Sequence, residues 1–599
     1  MSLFSLLKKC SIAAVLFSLC FGNPVGAKEL SGMLQVRCRD AYTGASVSSS
    51  MQFLNGEAVT FEERLPDSGM AYLSLGAQRY KVRIEASQYQ SLRTELEITA
   101  QSTMPVTLWL DPVKVPETLS SEMIELLTLD DQGLIHGYLY DKNDGQPIPW
   151  AIVSLAKLGL EAEADEGGYF RLFYPVNASA EDTLPPVDNL IISNPGYKKL
   201  TIGPLFIHGG DTFFIEDLEP GQGEISKLKT HKLLAEPEEL ELSQIISVAE
   251  EGVDLFNPDL GSPAENAEST SGLLNISPPS TIRVGTSCSC TTCSSVSVMS
   301  LETYVRRGLN DEWIASWSSH SLQSGAIAYR SYGAYYVAHP IKTSYDICST
   351  TCCQVNDSDT SSSTNTAVNA TAGFMLQRNN AVFRAEYSAE NNSWNDPYDG
   401  LSCANDDLSC GDGSVGSPAY SWPCLYDQVA LGHGCFGHGR GMSQWGTQRW
   451  ANTMAKTWPW ITNHYYNASG QPSGLRSAYI TSPLSMQSVS FSPQVVAPGE
   501  TFIIYVTGVN SSELTHTALM IGASLYSTAT GYINDPVHDD QENLPVGTHS
   551  LARQFTVPAS TDDGLFDLLV SFYYDVNDDN LISPADMALS LTTLSSALT

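Results

Sequence analysis

Ten of the thirteen cysteines lie in one part of the chain, between residues 288 and 435. They are Cys288, Cys290, Cys293, Cys348, Cys352, Cys353, Cys403, Cys410, Cys424 and Cys435. An even number of cysteines confined to one segment is typical of a disulfide-bonded domain in an oxidising compartment. The sequence therefore predicts up to five disulfides here, with their pairing left open. Of the other three, Cys10 and Cys20 lie within residues 1–27, and Cys38 is left over and is expected to be buried.

Residues 1–27 have the three parts of a secretion signal. Lys8 and Lys9 supply the positive charge, residues 10–21 are apolar, and small residues end at Ala27. The apolar stretch is too short to span a bilayer comfortably, and no later segment reaches about 18 apolar residues. We expect export to the periplasm, the cell surface or the medium, with no integral membrane segment after signal cleavage.

The chain is strongly acidic, with 31 lysines and arginines against 66 aspartates and glutamates and a formal net charge of −35. Signal cleavage removes two lysines and no acidic residue, which lowers the charge by two, to −37. A charge of this size repels nucleic acid and anionic membrane surfaces. The sequence therefore predicts that nucleic acid is not a partner.

A chain of 599 residues is expected to form about three to five domains. Residues 31–112 and 133–218 each alternate apolar and polar residues in short runs between turns, which predicts two all-β sandwiches. The second segment contains Gly137, Gly145, Pro147, Ala151, Val153, Asp165, Gly168 and Phe170. Through these residues it resembles the carboxypeptidase regulatory-like β-sandwich, and the first segment is predicted to be its diverged repeat.

The rest of the chain divides into three parts. Residues 219–277 are rich in Glu, Pro, Ser and Asn and are predicted to be an acidic linker. Residues 278–480 combine strand patterns with helical ones, such as 319–338, and predict an α+β core. Residues 484–599 return to β patterns and predict an immunoglobulin-like β-sandwich.

The predicted core places an acidic residue among aromatic ones. In the segment 309–317, LNDEWIASW, Glu312 stands beside Trp313 and near Trp317. Cleavage of a glycosidic bond requires protonation of a poor leaving oxygen, which favours a carboxyl group whose pKa is raised by burial among aromatics. Glu312 is therefore the candidate catalytic acid, although a surface helix residue has the same local pattern.

The second candidate is the glycine-rich segment 437–446, GHGRGMSQWG. Its glycines allow the backbone to approach a ligand closely. His438 and Arg440 are candidates to hold sugar hydroxyls or a carboxylate, and Gln444 and Trp445 to bind from the following helix. The alternative interpretation is a tight turn that caps a helix.

These motifs, with VMSLETYVR at 298–306 and YDICSTTCCQ at 345–354, resemble in order and spacing the core of the stage II sporulation protein D/amidase-enhancer family. The resemblance covers about residues 278–468. It implies action on peptidoglycan glycan strands as a lytic transglycosylase of MurNAc–GlcNAc linkages, with Glu312 as general acid/base and no cofactor in the reaction. Arg330 matches a family arginine, either a substrate contact or half of a buried ion pair, and Glu302 matches a structural position.

The resemblance and the residue patterns also raise two metal hypotheses. Cys348, Cys352 and Cys353 occupy a segment where some family members bind zinc, and three thiolates suit that ion, although disulfides compete. The second is a calcium loop at residues 575–586 that resembles a dockerin-type loop, with an acidic hairpin turn as the alternative. Its predicted ligands are Asp575, Asn577, Asp579, Ser583 and Asp586.

Two functions without catalysis are also consistent with the sequence. Some members of the family enhance a cell-wall amidase, so the core is also interpretable as a glycan-binding partner of such an enzyme. The flanking sandwiches alternatively suggest a cell-surface adhesion or scaffold protein. The residue patterns do not separate catalyst from enhancer.

Overall fold

The computed structural model describes residues 31–117, 119–127, 132–176, 183–231, 233, 277–378, 380–390, 427–430, 433, 441–467, 478–539 and 541–599. Over these residues the chain is mostly β-structure with six α-helices, as the predicted combination of β-sandwiches and an α+β core requires. The predicted signal, at residues 1–27, lies outside the described residues. None of the helices within the described ranges is long and apolar enough to cross a membrane.

The first module is built from seven strands in two sheets, with their alternate apolar residues buried between the sheets. The strands are β1 (Ser31–Asp40), β2 (Ser49–Asn55), β3 (Ala58–Leu65), β4 (Met70–Gly76), β5 (Arg79–Glu85), β6 (Leu92–Glu97) and β7 (Thr103–Leu110). One sheet has the order β3-β2-β5-β6, and the other contains β4, β1 and β7. Cys38 is fully buried on β1, as expected. A short helix, α1 (Ser121–Leu127), follows this module.

The second module repeats this plan. Its strands are β8 (Gln132–Asp141), β9 (Ile152–Leu155), β10 (Leu160–Glu163), β11 (Tyr169–Pro175), β12 (Val187–Ser193), β13 (Lys199–Phe206), β14 (Gly210–Leu218) and β15 (Glu224–Leu228). They form sheets of order β10-β9-β12-β13-β15 and β11-β8-β14.

Equivalent contacts in the two modules support the predicted internal repeat. The Tyr89 hydroxyl donates to Asp40 Oδ2 at 2.9 Å, and the Tyr197 hydroxyl donates to Asp141 Oδ2 at 2.8 Å. In each module the aspartate also accepts backbone N–H groups of the turn that follows it. The two sandwiches are therefore built around the same Asp–Tyr pair. The more specific carboxypeptidase regulatory-like relationship stays a prediction.

The predicted linker begins later than residue 219. Strand β15 lies within residues 219–277 and pairs in parallel with β13, so it belongs to the second sandwich. Lys229 and His231, which follow it, are buried against the core. The linker assignment is thus wrong for residues 224–231. The prediction was wrong here because it rested on the composition of the whole segment, which is acidic and rich in proline, and β15 is too short to change that composition. Residues 234–276, the rest of the predicted linker, lie outside the described residues.

The core continues the sheet of the first sandwich. Its strands are β16 (Thr281–Ser289), β17 (Thr292–Ser300), β18 (Ile347–Cys348), β19 (Met375–Arg378), β20 (Ala381–Val382), β21 (Tyr387–Ser388), β22 (Met442–Ser443) and β23 (Tyr479–Thr481). Strand β17 pairs in parallel with β7, Val296 lying opposite Val106, in a six-stranded sheet of order β18-β16-β17-β7-β1-β4. The first sandwich and the core therefore share main-chain hydrogen bonds and a hydrophobic interior.

Five helices complete the described part of the core. They are α2 (Leu301–Glu312), α3 (Ser319–Ala338), α4 (Ser362–Ala370), α5 (Gln444–Asn452) and α6 (Trp458–Asn467). Helix α3 is buried along most of its length and contacts the other four. The N-terminus of α4 is capped from the second sandwich, because Asp211 accepts the backbone N–H of Ser362 at 2.9 Å. A short 3₁₀ helix spans Gln428–Ala430.

The C-terminal module has eight strands in two facing sheets. They are β24 (Leu484–Ser492), β25 (Thr501–Asn510), β26 (His516–Ser527), β27 (Gly531–Asn534), β28 (Gln541–Leu544), β29 (Gly547–Thr556), β30 (Phe566–Tyr574) and β31 (Met587–Leu598). The module packs on the core through Tyr574, whose ring lies edge-on to Phe374 at 5.2 Å between centroids. A two-layer β-module is therefore present, and its immunoglobulin-like topology stays a prediction.

Candidate functional site

Helix α2 carries Glu312 at its C-terminal end. The helix begins after Ser300, whose side chain accepts the backbone N–H of Thr303 at 3.1 Å. It ends where the backbone N–H of Trp313 donates to Leu309 O at 2.7 Å. Almost every residue of α2 is buried, and the Glu312 side chain has no solvent-exposed area. The surface-helix interpretation of Glu312 is therefore wrong.

Two separate segments hold Glu312 in place. The backbone N–H of Val355 donates to its carboxylate Oε1 at 3.0 Å. Gln444, at the start of α5, donates from Nε2 to its main-chain carbonyl at 2.6 Å. The segment after Cys353 thus fixes the carboxylate, and the glycine-rich motif fixes the backbone.

Aromatic side chains surround this end of the helix. The Trp313 ring packs against Tyr387 at 4.9 Å between centroids, and its Nε1 donates to Thr447 Oγ1 at 3.1 Å. Gln354 joins two buried phenols, since it accepts from the Tyr304 hydroxyl at 2.6 Å and donates to the Tyr387 hydroxyl at 2.9 Å. The carboxyl group among aromatics that the sequence predicts is therefore present.

Arg330 forms a buried ion pair. Its Nε and Nη2 donate to the two carboxylate oxygens of Glu302 at 2.9 and 2.8 Å, and it also donates to the carbonyls of Phe374 and Val368. The Arg330 side chain has no exposed area. Of the two interpretations, the structure favours the ion pair, so the assignment of Arg330 to substrate binding is corrected. The structural role expected of Glu302 agrees with this pair.

The glycine-rich motif is described from Gly441 onwards. Ser443 caps α5 by accepting the backbone N–H of Gly446 at 2.8 Å. Gln444 is fully buried and acts on Glu312 rather than at the surface, and Trp445 packs on Trp317 at 4.9 Å between centroids. The direct substrate contact predicted for Gln444 is therefore corrected to a contact with Glu312. His438 and Arg440 lie outside the described residues.

Six cysteines form three disulfides near the end of the β16–β17 hairpin. The pairs are Cys288–Cys293, Cys290–Cys352 and Cys348–Cys353. All three cysteines of the zinc hypothesis are therefore disulfide-bonded, which favours the alternative left open by the sequence. Cys403, Cys410, Cys424 and Cys435 lie outside the described residues.

The predicted calcium ligands form hydrogen bonds within their own loop. Asp575 accepts the backbone N–H groups of Asp579 and Asn580, and Asp586 accepts those of Val576 and Ser583. Asn577 donates to Asp579 at 2.7 Å. Calcium binding at this loop stays a prediction.

A charge cluster next to Glu312, buried except for Asp357, was not predicted. The carboxylates of Asp311, Asp357 and Asp359 lie within 4.8 Å of one another, close enough to share a cation. The ammonium group of Lys229 from the second sandwich contacts all three. The only sequence signal was the run of acidic residues in NDSD at 356–359, which resembles an ordinary solvated loop.

A second buried carboxylate, Glu390, was also missed. Arg449 of α5 donates to both of its oxygens, at 3.1 and 2.7 Å, and Ser443 lies 3.4 Å from it. Burial raises the pKa of Glu390 to about 7, although Arg449 opposes this effect. Glu390 and Glu312 are thus both linked to the start of α5, Glu390 through Ser443 and Glu312 through Gln444.

The geometry defines a disulfide-bonded α+β core with a buried carboxylate at the end of a helix. A family model described as "Stage II sporulation protein" matches residues 289–377 of this core. The match supports the sporulation-protein-D-like part of the chain, and links it at a coarse level to peptidoglycan remodelling in the cell wall. It does not extend to the carboxypeptidase-like resemblance at residues 133–218.

Similarity to solved structures is weak. The chain is 14% identical to the Bacillus anthracis TIE protein, covering 32% of this chain and 34% of that one, with a TM-score of 0.13. It is 12% identical to the sporulation control protein Spo0M from Bacillus subtilis, covering 19% and 49%, also with a TM-score of 0.13. The chain thus spans about a third and about half of the lengths of these two proteins, and such TM-scores carry no conclusion. No curated protein sequence matches the chain.

Proposed function

We propose that this protein is an exported peptidoglycan lytic transglycosylase that cleaves MurNAc–GlcNAc linkages, with Glu312 as general acid and base. The observation that carries the proposal is the placement of Glu312. It is the last residue of α2, lies among aromatic rings, and is held at its carboxylate by Val355 and at its carbonyl by Gln444. Glu312 and Gln444 belong to motifs that resemble those of sporulation protein D, and Val355 directly follows a third such motif.

One carboxyl group is sufficient for this reaction. Glu312 in its acid form donates a proton to the oxygen that leaves C1 of the MurNAc ring. The resulting carboxylate then takes the proton of the C6 hydroxyl of the same sugar, whose oxygen bonds to C1 as the glycosidic bond breaks. The product is a 1,6-anhydro end, no water is consumed, and the glutamate regains its proton.

Support for export comes from the N-terminal sequence and from the cysteines. Disulfides persist mainly outside the cytoplasm, and six of the ten core cysteines are paired in the described residues. Peptidoglycan lies in the same compartment as an exported protein. The glycan substrate and the secretion signal are therefore consistent with each other.

A specific observation favours a second candidate function, that of a glycan-binding enhancer of a cell-wall amidase. The Glu312 side chain has no exposed area, whereas a catalytic acid must come within hydrogen-bond reach of the leaving oxygen. Catalysis therefore requires that the residues covering Glu312 move when glycan binds. A protein that only binds glycan has no such requirement.

The test uses the full chain, because the first sandwich shares a sheet with the core. Purified protein is incubated with glycan strands stripped of stem peptides, and soluble products are identified by mass spectrometry. Wild type is expected to release 1,6-anhydro disaccharides and Glu312→Gln to release none. The matched control is Glu216→Gln, which alters a buried glutamate of the second sandwich and should leave release unchanged. Glycan binding without soluble product from wild type would favour the enhancer.

A further inference from the structure

The second sandwich extends into the core through the residues that follow β15. We name residues 229–231 the strap. The backbone N–H of Lys229 donates to Gly203 O at 3.0 Å, so the start of the strap is fixed to the second sandwich. The Lys229 side chain points the other way, into the core, and His231 packs edge-on against Phe206 at 4.7 Å between centroids. The strap therefore places one cation from the second sandwich inside the core.

This cation lies among three carboxylates. Lys229 Nζ contacts Asp311 and Asp359, both of them buried, and is 2.7 Å from Asp357 Oδ2. Burial, the largest effect, lowers the pKa of Lys229, but the three carboxylates together outweigh it and hold that pKa well above its usual range. The amine is therefore charged. Burial and the negative charge of Asp357 raise the pKa of Asp311 and of Asp359 well above its usual range. The Lys229 ammonium group opposes both shifts and contacts all three carboxyl groups.

The three carboxylates belong to the two segments that place Glu312. Asp311 is its neighbour at the end of α2, whereas Asp357 and Asp359 follow Val355, the residue that donates to the Glu312 carboxylate. A single ammonium group therefore joins the end of the helix to the segment that holds the side chain. Without it, the two segments lose this shared contact.

We propose that Lys229 is a positioning residue for Glu312, so that the second sandwich completes the candidate active site of the core. This inference rests on the proposed function, because positioning matters for cleavage only if Glu312 is the catalytic acid. Lys229 touches neither substrate nor reacting atoms and acts only by holding Asp311 and the 355–359 segment together.

The experiment compares Lys229→Met with Lys227→Met in the full chain. Lys227 lies two residues earlier and also pairs with a buried carboxylate, Glu216, but within the second sandwich. Cleavage is followed as kcat and KM on stripped glycan strands, and hydrogen–deuterium exchange of the Val355 amide is followed by mass spectrometry. The second readout reports on the contact to Glu312 and does not depend on cleavage.

For Lys229→Met we expect kcat to fall by about 100-fold with little change in KM, as for a misplaced catalytic group. Exchange at Val355 should be about tenfold faster, because one hydrogen bond is weakened. Lys227→Met should change neither. The double variant Lys229→Met/Asp359→Asn also removes one of the carboxylates and should recover only part of the protection of Val355. If the single variant does not fold, the double variant is measured in its place, and its exchange at Val355 should still be faster than in Lys227→Met.

Exchange at Val355 that matches Lys227→Met, in the single or the substituted double variant, would overturn the inference, whether or not the rate has fallen. Failure of the proposed function has a different signature, since wild type would then release no anhydro product. In that case the role of Lys229 is tested by hydrogen–deuterium exchange at Val355 alone. Faster exchange would keep its positioning role and unchanged exchange would remove it.

Discussion

Gln444 Nε2 donates to the main-chain carbonyl of Glu312 at 2.6 Å, and both residues are fully buried. This hydrogen bond joins two sequence motifs that lie 132 residues apart. It also satisfies a carbonyl at the end of α2, where backbone acceptors have no partner within the helix. The glycine-rich motif therefore contributes to the site by holding the backbone of Glu312 rather than its carboxylate.

Replacement of Gln444 by alanine is expected to lower stability and activity together. The buried carbonyl of Glu312 loses its donor, which costs about 1–3 kcal/mol of unfolding free energy. The control is Gln448→Ala, one turn later on α5, which removes a bond to the backbone N–H of Ser318 away from Glu312. Denaturant unfolding and release of 1,6-anhydro product are measured on both. Equal rates for the two variants would contradict the role assigned to Gln444.

Replacement of Arg330 by methionine is expected to destabilise the fold, because Glu302 would remain buried without its partner. Loss of one member of a buried ion pair costs about 3–5 kcal/mol of unfolding free energy. Arg37→Met is a useful control, since Arg37 pairs with Asp217 at a partly exposed position where a smaller loss is expected. An unchanged unfolding midpoint for Arg330→Met, combined with a raised KM for glycan, would instead restore the substrate-contact interpretation.

The parts of the site that could be predicted from sequence have short-range causes. The helical pattern at 319–338 predicts α3, which spans these residues, and the helix expected after the glycines is present as α5. Glu312 stood out because two tryptophans lie close to it in the chain. Each of these signals is contained within about one helix length.

The parts that could not be predicted depend on distant partners. Lys229 is 82 residues from Asp311, and nothing in the sequence around either residue identifies the other. The stretch 381–390 alternates like one strand, yet forms only the two-residue strands β20 and β21, because its backbone bonds to separate neighbours, including Met442. The pairing of β17 with β7 likewise joins two segments that the sequence assigns to separate domains, the core at 278–480 and the first sandwich at 31–112.

Peptide mapping of the unreduced protein is expected to find Cys288–Cys293, Cys290–Cys352 and Cys348–Cys353. Of these three bonds, Cys290–Cys352 closes the longest loop, with a sequence separation of 62. Cys290→Ser/Cys352→Ser should therefore lose about 2–4 kcal/mol of unfolding free energy. Cys38→Ser is not a suitable control because Cys38 is buried, so wild type serves as the reference.

Metal analysis of the same sample tests the zinc hypothesis independently. Free thiols at Cys348, Cys352 and Cys353 with stoichiometric zinc would contradict the disulfide assignment. Zinc bound only after reduction would show that these three thiolates can bind zinc, but that they are normally paired in disulfides.

The pH dependence of stability is expected to change on replacement of Glu390. Burial raises the pKa of Glu390 to about 7 in the folded protein, against 4.5 for an ordinary glutamate, although the ion pair with Arg449 opposes the shift. The folded state therefore holds this proton more tightly than the unfolded state. The resulting stabilisation is fully present below the ordinary pKa and is lost as the pH rises through about 7.

Glu390→Gln tests this directly, because the amide does not titrate but still accepts hydrogen bonds from Arg449. Other buried acids, such as Glu513, titrate in both proteins and cancel in the comparison. The free energy of unfolding of wild type minus that of the variant should decrease as the pH rises from about 5 to about 8. Denaturant unfolding at several pH values measures it. A difference that stays constant or increases with pH would mean that Glu390 is ionised in the folded protein throughout this range, held so by Arg449.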